Sequence, residues 1–413
     1  MKKEHLPLWL AGAAAATTVV SIAAFEILLG AALLAVLLDP SARENWRWPP
    51  ITLPVCLWFG LTLVSAAASG DIHAAFPQFK KFYVYLMLFV VFAAFRTIAQ
   101  VRVLVLGWTL GASLSALWSF VQLTRKVQAA QAAHMDFYMA YIDSRITGFM
   151  GHWMTFSGHL MIVLMLLGAL FFFSKGRDGQ AWMMTAGVVM KVALIAAFTR
   201  SMWLGAIAGG AYLIWMWRKW MVLAIPVGIA LVLAVNPFAV RERALSAFQP
   251  HGDIDSNEHR VVTRKIGWEM IKAHPVLGVG PEEVGKQYMS YIPASVKMPL
   301  PTGYYGHLHN IYIHYAAERG VPAMLAMLWV LLQSLYDFAS GLRQLPGGWR
   351  RSEKGWVLQG AIAALIAVML SGWYELNLGD SEVLGLVLAV IACGYVALQD
   401  TAHPEANGQA HAA

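Results

Sequence analysis

The sequence predicts an all-α integral membrane protein with about twelve transmembrane helices. Of its 413 residues, 59% are hydrophobic and 13% are charged. Apolar runs of about 15 to 22 residues recur along the chain, each close to the roughly 20 residues that a helix needs to cross a bilayer. The runs are continuous and lack the polar alternation of a membrane β-barrel. A fold around one soluble core is therefore not expected.

The predicted spans follow one another in a regular order. Lys2 and Lys3 precede a first run that resembles a signal peptide, but no convincing cleavage site follows and a second run begins at Phe25. We therefore expect a retained signal anchor that forms a helical hairpin. The spans are predicted at residues 8–21, 24–38, 50–68, 82–97, 101–122, 153–174, 182–199, 202–217, 220–236, 312–338, 355–373 and 380–398.

The short loops between these spans predict the orientation of the chain. With twelve spans, the short basic loops all fall on one side, which the positive-inside rule identifies as cytoplasmic. We therefore expect a multi-pass membrane protein with both termini in the cytoplasm and the longest polar segment outside, which is the periplasm if the cell is Gram-negative. The basic residues are Lys2, Lys3, Arg43, Arg47, Arg96, Arg102, Lys175, Arg177, Arg218, Lys219, Arg343, Arg350, Arg351 and Lys354.

The chain divides into four regions. Residues 1–236 carry spans 1 to 9, and residues 237–309 form a basic periplasmic loop that is expected to be helical and to carry part of an active site. Residues 310–398 carry spans 10 to 12, and residues 399–413 form a polar tail that we expect to be disordered and cytoplasmic.

Two helices are predicted within the loop. Ser256 or Asn257 can cap a helix that continues to about Ala273, and Pro281 is predicted to open a second helix that continues to about Ile292.

Several common functional motifs are absent from the sequence. It contains no Walker loop, nucleophile elbow, His-Glu-x-x-His zinc motif or dinucleotide fingerprint, which argues against an ATP-driven pump and, more weakly, against a membrane protease. Cys56 and Cys393 both lie in apolar runs and are expected to be free thiols.

Cationic residues from distant parts of the chain are predicted to meet at the periplasmic face. Arg260 and Arg264 share one face of the loop helix, and two guanidinium groups there suit the oxygens of a phosphate or pyrophosphate. Arg200 and Arg145 flank spans at the same face, and Lys80 and Lys81 precede the fourth span. A charge so close to the membrane is expensive without a partner. The alternatives are contact with lipid headgroups and snorkelling to water.

His309 is the candidate base, because a neutral imidazole can accept a proton from an attacking hydroxyl near pH 7. His307 is equally suited on chemistry alone, and an interfacial histidine without a catalytic role is the alternative. The remaining residues predicted to support this site are Asn310, Tyr312, His314 and Glu318.

One short motif offers a metal-dependent alternative. Asp253 and Asp255 have the Asp-x-Asp spacing with which metal-dependent sugar transferases often hold a divalent cation. A solvated turn before a helix explains the same residues, so we expect no metal and no other cofactor. Cationic side chains would then neutralise the phosphate leaving group.

Four short pieces of the chain resemble the bacterial O-antigen ligase and polymerase family of polytopic membrane glycosyltransferases. The pieces are residues 199–201 (Thr-Arg-Ser), 268–280 with His-Pro-Val-Leu-Gly-Val-Gly at its end, 309–320 from His-Asn-Ile-Tyr to Glu-Arg-Gly, and 377–382 (Asn-Leu-Gly-Asp-Ser-Glu). Each is weak alone, but their order around one long external loop is fairly specific.

The resemblance implies a helical fold of the GT-C glycosyltransferase type and a specific reaction. A glycan would move from undecaprenyl pyrophosphate to a sugar hydroxyl of the lipid A core. His309 would be the catalytic histidine, and Arg200 with either Arg260 or Arg264 would bind the pyrophosphate. The expected partners are this donor, the lipid A core acceptor and the bilayer, without nucleic acid.

Other activities remain open at this point. A polymerase or a protein O-oligosaccharyltransferase of the same family would use the same donor, and sequence separates them poorly from a ligase. A flippase for a lipid-linked glycan would also need a cationic cavity among many spans. It should show cations in the middle of several spans, and only Lys191 clearly does so.

Overall fold

The computed structural model describes residues 6–44, 46–175, 179–252 and 257–399, and within these ranges the protein is helical without strands. The α-helices are α1 (Leu6–Thr17), α2 (Ile22–Leu38), α3 (Pro40–Glu44), α4 (Thr52–Ala68), α5 (Phe76–Ala94), α6 (Ile98–Ala132), α7 (Phe137–Tyr141), α8 (Trp153–Phe173), α9 (Gln180–Ala196), α10 (Arg200–Trp217), α11 (Ala224–Val235), α12 (Val240–Leu245), α13 (Glu258–Ala273), α14 (Val284–Gln287), α15 (Ile311–Arg319), α16 (Val321–Gln344), α17 (Lys354–Ser371) and α18 (Ser381–Gln399).

The predicted apolar runs all coincide with helices, but the number of membrane crossings is not confirmed. Among the described residues, α5, α6, α8, α16, α17 and α18 are long and apolar enough to cross a bilayer. A bent pair, Lys219–Val235 with Pro237–Leu245 at 107°, would be a seventh if it is one span. Helices α1, α2, α4 and α9 are apolar but shorter. The chain is therefore a multi-pass membrane protein, and twelve crossings remain a prediction.

Helices α10 and α17 pack closely against each other, and both reach the candidate active site. A Cβ atom at Gly205 would lie 2.6 Å from the Ala367 carbonyl oxygen, and one at Gly209 would lie 2.6 Å from the Ala363 carbonyl oxygen. Small residues allow helices in membranes to approach this closely. The start of α10 and the end of α17, which lie at the same end of the bundle, are thereby held together.

The opposite end of the bundle collects several of the basic loop residues. Arg47 donates to the Gln399 side chain at 2.8 Å and to the Phe95 carbonyl at 3.0 Å. Arg102 pairs with Glu353 at 2.6 Å. These contacts join the end of α5 to the end of α18 and the start of α6 to the start of α17. The contacts place Arg47 and Arg102 at one end of the bundle. Lys2, Lys3 and Arg177 lie outside the described residues, and the cytoplasmic location of the basic loops stays a prediction.

The long polar segment contains the first of its two predicted helices and part of the second. Helix α13 spans Glu258–Ala273, as expected from the sequence, and Asn257 precedes it without a side-chain capping hydrogen bond. The second predicted helix begins at Val284 rather than at Pro281, as the short helix α14 followed by a 3-10 turn at Tyr288–Tyr291. Glu282 has φ +66°, and its backbone N–H donates to the Glu318 carboxylate at 2.8 Å. This left-handed residue prevents helix formation until Val284.

Candidate active site

The 274–280 segment docks onto the end of α15 and so fixes the loop to the bundle. Val279 N–H donates to the Ala317 carbonyl and Gly280 N–H donates to the Glu318 carbonyl, both at 2.9 Å. Val321 N–H donates to the Pro275 carbonyl at 2.8 Å. These bonds join the pieces 268–280 and 309–320 that sequence analysis singled out separately.

Gly320 permits this docking, because a Cβ atom there would lie 1.9 Å from the Val276 carbonyl oxygen at φ +87°. We expect Gly320→Ala to destabilise the protein by at least about 2 kcal/mol, through both backbone strain and overlap. Thermal unfolding of the purified protein in detergent measures this effect. Gly210→Ala is the matched control, since a Cβ atom at Gly210 meets nothing within 4 Å. Equal melting temperatures for the two variants would contradict the docking described here.

His309 lies directly before the capping residue of α15 and is 8% exposed. Its φ of +49° is uncommon for a residue with a side chain. Nδ1 lies 3.4 Å from the Glu375 carboxylate, and Nε2 lies 3.1 Å from the Tyr304 carbonyl oxygen. Both neighbours are acceptors, so an imidazolium can make both hydrogen bonds whereas a neutral ring makes only one. The ring is therefore held between two acceptors from separate loops.

Glu375 was not among the predicted site residues, yet its carboxylate joins two of them. It is 8% exposed, and one oxygen lies 2.5 Å from Arg260 while the other faces His309. Burial alone would raise the pKa of this carboxyl. The charge of Arg260 and the hydrogen bond with His309 outweigh burial and lower the pKa below its usual range. The group is therefore ionised at neutral pH.

Arg260 and Arg264 both extend from α13 to the loop that follows α17, as their shared face predicted. Arg260 also donates to the Tyr374 carbonyl at 3.3 Å. Arg264 reaches the Trp373 carbonyl only at 3.5 Å, and its guanidinium lies 5.6 Å from the Tyr374 ring centre. Its Nε is buried without a hydrogen-bond partner among the residues that the structure describes. Arg264 therefore retains donor capacity that Arg260 has partly committed to Glu375.

Arg200 links the start of α10 to the polar segment. Its guanidinium donates to Ser246 Oγ at 3.0 Å and to Asn257 Oδ1 at 2.8 Å. This second bond explains why Asn257 does not cap α13, because its side-chain oxygen is directed to Arg200.

Arg145 lies among other cations at the same end of the bundle. Its guanidinium lies 4.8 Å from the Trp153 ring centre. Burial and the charges of Arg243, Arg260 and Arg200 lower its pKa to about 9, although Glu375 acts in the opposite direction. The structure therefore brings arginines from separate parts of the chain within electrostatic range of Arg145. Arg243, which was not predicted to join them, is 5% exposed and donates to the Phe198 carbonyl at 3.0 Å.

Lys81 lies apart from these arginines. It lines a small pocket between α4, α5 and α15, together with Gln78, Trp58, Tyr85 and Arg319. The structure therefore does not bring Lys81 into contact with the predicted pyrophosphate ligands, and its role stays a prediction.

His314 and Glu318 occupy the region between that pocket and His309. Glu318 is 1% exposed, and its carboxylate lies 3.1 Å from Arg319 and 3.6 Å from His314 Nε2. The His314 ring centre lies 6.5 Å from that of His307. Glu318 thus supports the docked 274–280 segment and its neighbour Arg319, and it makes no direct contact with His309 in the structure.

Asn310 and Tyr312 hold α15 in place beside the loop that carries Glu375. Asn310 is 1% exposed, and its side-chain oxygen caps α15 by accepting the N–H groups of Tyr312 and Ile313 at 2.9 Å. Its amide donates to the Trp373 carbonyl at 2.8 Å, and the Tyr312 hydroxyl donates to the Met369 carbonyl at 2.9 Å. Both residues therefore support the position of His309 rather than face a substrate.

His307 packs against His309, with ring centres 4.2 Å apart, and its Nδ1 accepts the His309 N–H at 3.2 Å. Burial, followed by the nearby His309 and His314, lowers the pKa of His307 to about 3. The ring is therefore neutral at physiological pH and acts as an acceptor for the backbone.

The lowered pKa of His307 predicts a contribution to acid sensitivity. The unfolded histidine binds a proton as pH falls through about 6.5, whereas the folded one does not until about pH 3, so acidification in this window favours unfolding. When the pH falls from 7.5 to 5, the free energy of unfolding should decrease by up to about 2 kcal/mol less in His307→Gln than in wild type. Melting temperatures at both pH values measure this difference. An unchanged pH dependence would contradict a neutral His307.

Glu375, Arg243 and Tyr304 contribute to the site but could not be selected from sequence. Glu375 is one of many acids at this end of the bundle, and the only available signal is its place in Trp373-Tyr374-Glu375, directly after an apolar run. Tyr304 contributes a backbone oxygen, which no side-chain pattern reveals. The metal alternative, Asp253 with Asp255, lies outside the described residues.

Comparison with known proteins identifies the part of the chain that carries most of this geometry. Residues 185–328 match the family described as O-antigen ligase. The match includes Arg200, Arg260, Arg264 and His309, whereas Arg145 and Glu375 lie outside it. A comparison with curated proteins found no match. The family supports an enzyme of the O-antigen ligase or polymerase type at a membrane. The chain therefore contains a domain of the O-antigen ligase family at residues 185–328.

Proposed function

We propose that this protein is an O-antigen ligase that transfers a glycan from undecaprenyl pyrophosphate to a sugar hydroxyl of the lipid A core. The observation that carries the proposal is the meeting of His309 with arginines from α10, α13 and the loop before α8 at one end of a membrane bundle. A buried base beside several cations suits a reaction in which an anionic group leaves and a hydroxyl attacks.

The cations supply the donor site. Arg200, Arg264 and Arg145 would contact the pyrophosphate oxygens, with Arg260 beside them and Lys81 reaching the same group if the donor extends toward its pocket. The polyprenyl tail would lie between apolar helices. Because pyrophosphate is already a good leaving group, neutralising its developing charge matters more than protonating it. No metal or other cofactor is required by this scheme.

The transfer is a single displacement at the anomeric carbon. The acceptor oxygen forms a bond to this carbon as the bond to the phosphate oxygen breaks, and undecaprenyl pyrophosphate leaves with the bonding electrons. His309 takes or orients the hydroxyl proton. Attack opposite the leaving group inverts the anomeric configuration. The GT-C type of fold implied by the resemblance belongs to the same proposal.

The proposal places this reaction at the periplasmic face of a bacterial inner membrane. Its support is the separation of the arginine site from the basic loops, since the positive-inside rule assigns those loops to the cytoplasm. A lipid-linked donor and a lipid-linked acceptor would then both reach the site from the bilayer.

Two kinds of alternative use the same site. A polymerase would add the glycan to another lipid-linked glycan, and a protein O-oligosaccharyltransferase would add it to Ser or Thr. A flippase for a lipid-linked glycan is less favoured, because it would not need a base such as His309.

Product analysis with purified protein tests the proposal. The protein is reconstituted with undecaprenyl-pyrophosphate-linked glycan and offered lipid A core, a second lipid-linked glycan or an acceptor protein. We expect glycan on lipid A core only, with inverted anomeric configuration. Longer lipid-linked chains or a glycosylated protein would replace ligase with the corresponding alternative, and retained configuration would contradict the single displacement.

A further inference from the structure

The carboxylate of Glu375 is shared between two groups that the proposed function uses for different purposes. One oxygen contacts Arg260 at 2.5 Å and the other lies 3.4 Å from His309 Nδ1. The side chains on both sides are largely enclosed, since 24% of Arg260, 10% of His309 and 11% of Glu375 side-chain surface is exposed. A buried charge of this kind has large effects on its partners, because solvent screens it poorly.

We propose that Glu375 is a positioning residue that orients His309 for proton transfer and connects it to the donor-binding arginines. This inference rests on the proposed function. Glu375 itself would not touch the reacting atoms. It would act through His309, whose orientation decides which ring nitrogen meets the acceptor hydroxyl.

The carboxylate selects the reactive nitrogen of the ring. A carboxylate can only accept, so its contact with Nδ1 requires a proton on that nitrogen. In a neutral ring Nε2 then carries the lone pair and is the base. Nε2 faces the Tyr304 carbonyl oxygen at 3.1 Å. Because a neutral Nε2 cannot donate to this carbonyl, the acceptor hydroxyl would have to replace it as the partner of Nε2.

The loop that carries Glu375 is fixed on both sides. Asn310 donates to the Trp373 carbonyl at 2.8 Å, and Arg260 donates to the Tyr374 carbonyl at 3.3 Å. The Asn310 bond holds the loop against α15 independently of the Glu375 side chain, and the Tyr374 carbonyl gives Arg260 a second contact with the loop. A substitution of that side chain should therefore disturb the orientation of His309 more than the fold.

Arg260 provides the connection to the donor. Its guanidinium carries five N–H donors, of which the described contacts to Glu375 and Tyr374 use only part. The remaining donors can contact a phosphate oxygen while the pair with Glu375 persists. Donor binding and His309 orientation would then depend on one shared carboxylate.

A double-mutant comparison of turnover at saturating donor and acceptor tests the proposal. Glu375→Gln removes the charge at constant size, and we expect it to lower kcat on the order of 10- to 100-fold. In the His309→Ala background the same substitution should change kcat by less than about 2-fold, because residues that act as a unit are not additive. Glu375→Asp keeps the charge but shortens its reach, so it should lower kcat and leave the donor KM near that of wild type.

Glu318→Gln is the matched control. It also removes a buried carboxylate, yet its partners are Arg319 and His314 rather than His309. We expect it to lower activity by the same factor with and without His309. Melting temperatures show whether each variant is folded. If Glu375→Gln is not folded, Glu375→Asp takes its place in the comparison.

Two results would overturn the inference. One is an equal loss from Glu375→Gln in wild type and in His309→Ala, and the other is an unchanged kcat in Glu375→Gln. If instead wild-type protein transfers no glycan, the proposed function fails first. If wild-type protein transfers glycan but the Glu375 and His309 substitutions act additively, only the role of Glu375 is refuted.

Discussion

Replacing His309 with alanine should lower the rate of glycan transfer by about 10²- to 10⁴-fold at saturating donor and acceptor. The variant loses the group that takes or orients the acceptor proton, whereas the arginines that bind the donor remain. We therefore expect kcat to fall while the donor KM changes little. The measurement is the initial rate of product formation by reconstituted protein.

His73→Ala is a suitable control for this variant. His73 is an exposed histidine that precedes α5 at the same end of the bundle, and its loss should leave the rate near that of wild type. A His309→Ala protein that is folded and retains most of the wild-type rate would contradict catalysis by His309. It would favour the flippase alternative.

Replacing Arg264 with alanine should lower kcat by about 10²- to 10³-fold, the loss typical of removing one preorganised donor from a developing negative charge. Arg264 is chosen because its Nε is buried without a partner among the described residues and its contact with Trp373 is long. Its guanidinium is therefore available to a ligand. Arg264→Lys should recover only part of the activity, because an ammonium keeps the charge but not the planar pair of donors.

Lys265→Ala provides the comparison for Arg264. Lys265 is the next residue of the same helix and is exposed, so it tests whether net positive charge alone matters. We expect it to be close to wild type. Equal losses for the two substitutions would show that Arg264 acts only as one charge among many and does not bind the leaving group specifically.

The helices could be located from sequence because continuous apolar runs carry a strong signal. The runs coincide with α-helices throughout the described chain. Gly320 separates α15 from α16 at the point where polar residues interrupt the tenth run. The number of membrane crossings was harder to predict from sequence, because α1, α4 and α9 have fewer residues than a full crossing needs. The second loop helix begins at Val284 rather than at the predicted Pro281, because a tertiary hydrogen bond from Glu282 to Glu318 overrides the local preference of Pro281.

The site could be predicted in part because its cations are rare in this chain. Arginines near membrane ends are conspicuous, and the structure brings Arg145, Arg200 and Arg260 within electrostatic range. Glu375 could not be chosen in this way, since acids at that face are numerous and only the fold selects the one that meets His309.

The most direct test of the account is glycan transfer by purified protein with lipid-linked donor and lipid A core, in the presence of a chelator. The account attributes charge neutralisation to arginines, so it predicts the same rate of product formation with and without chelator. Loss of transfer in chelator that is restored by an added divalent cation would contradict the account and assign the metal to Asp253 and Asp255.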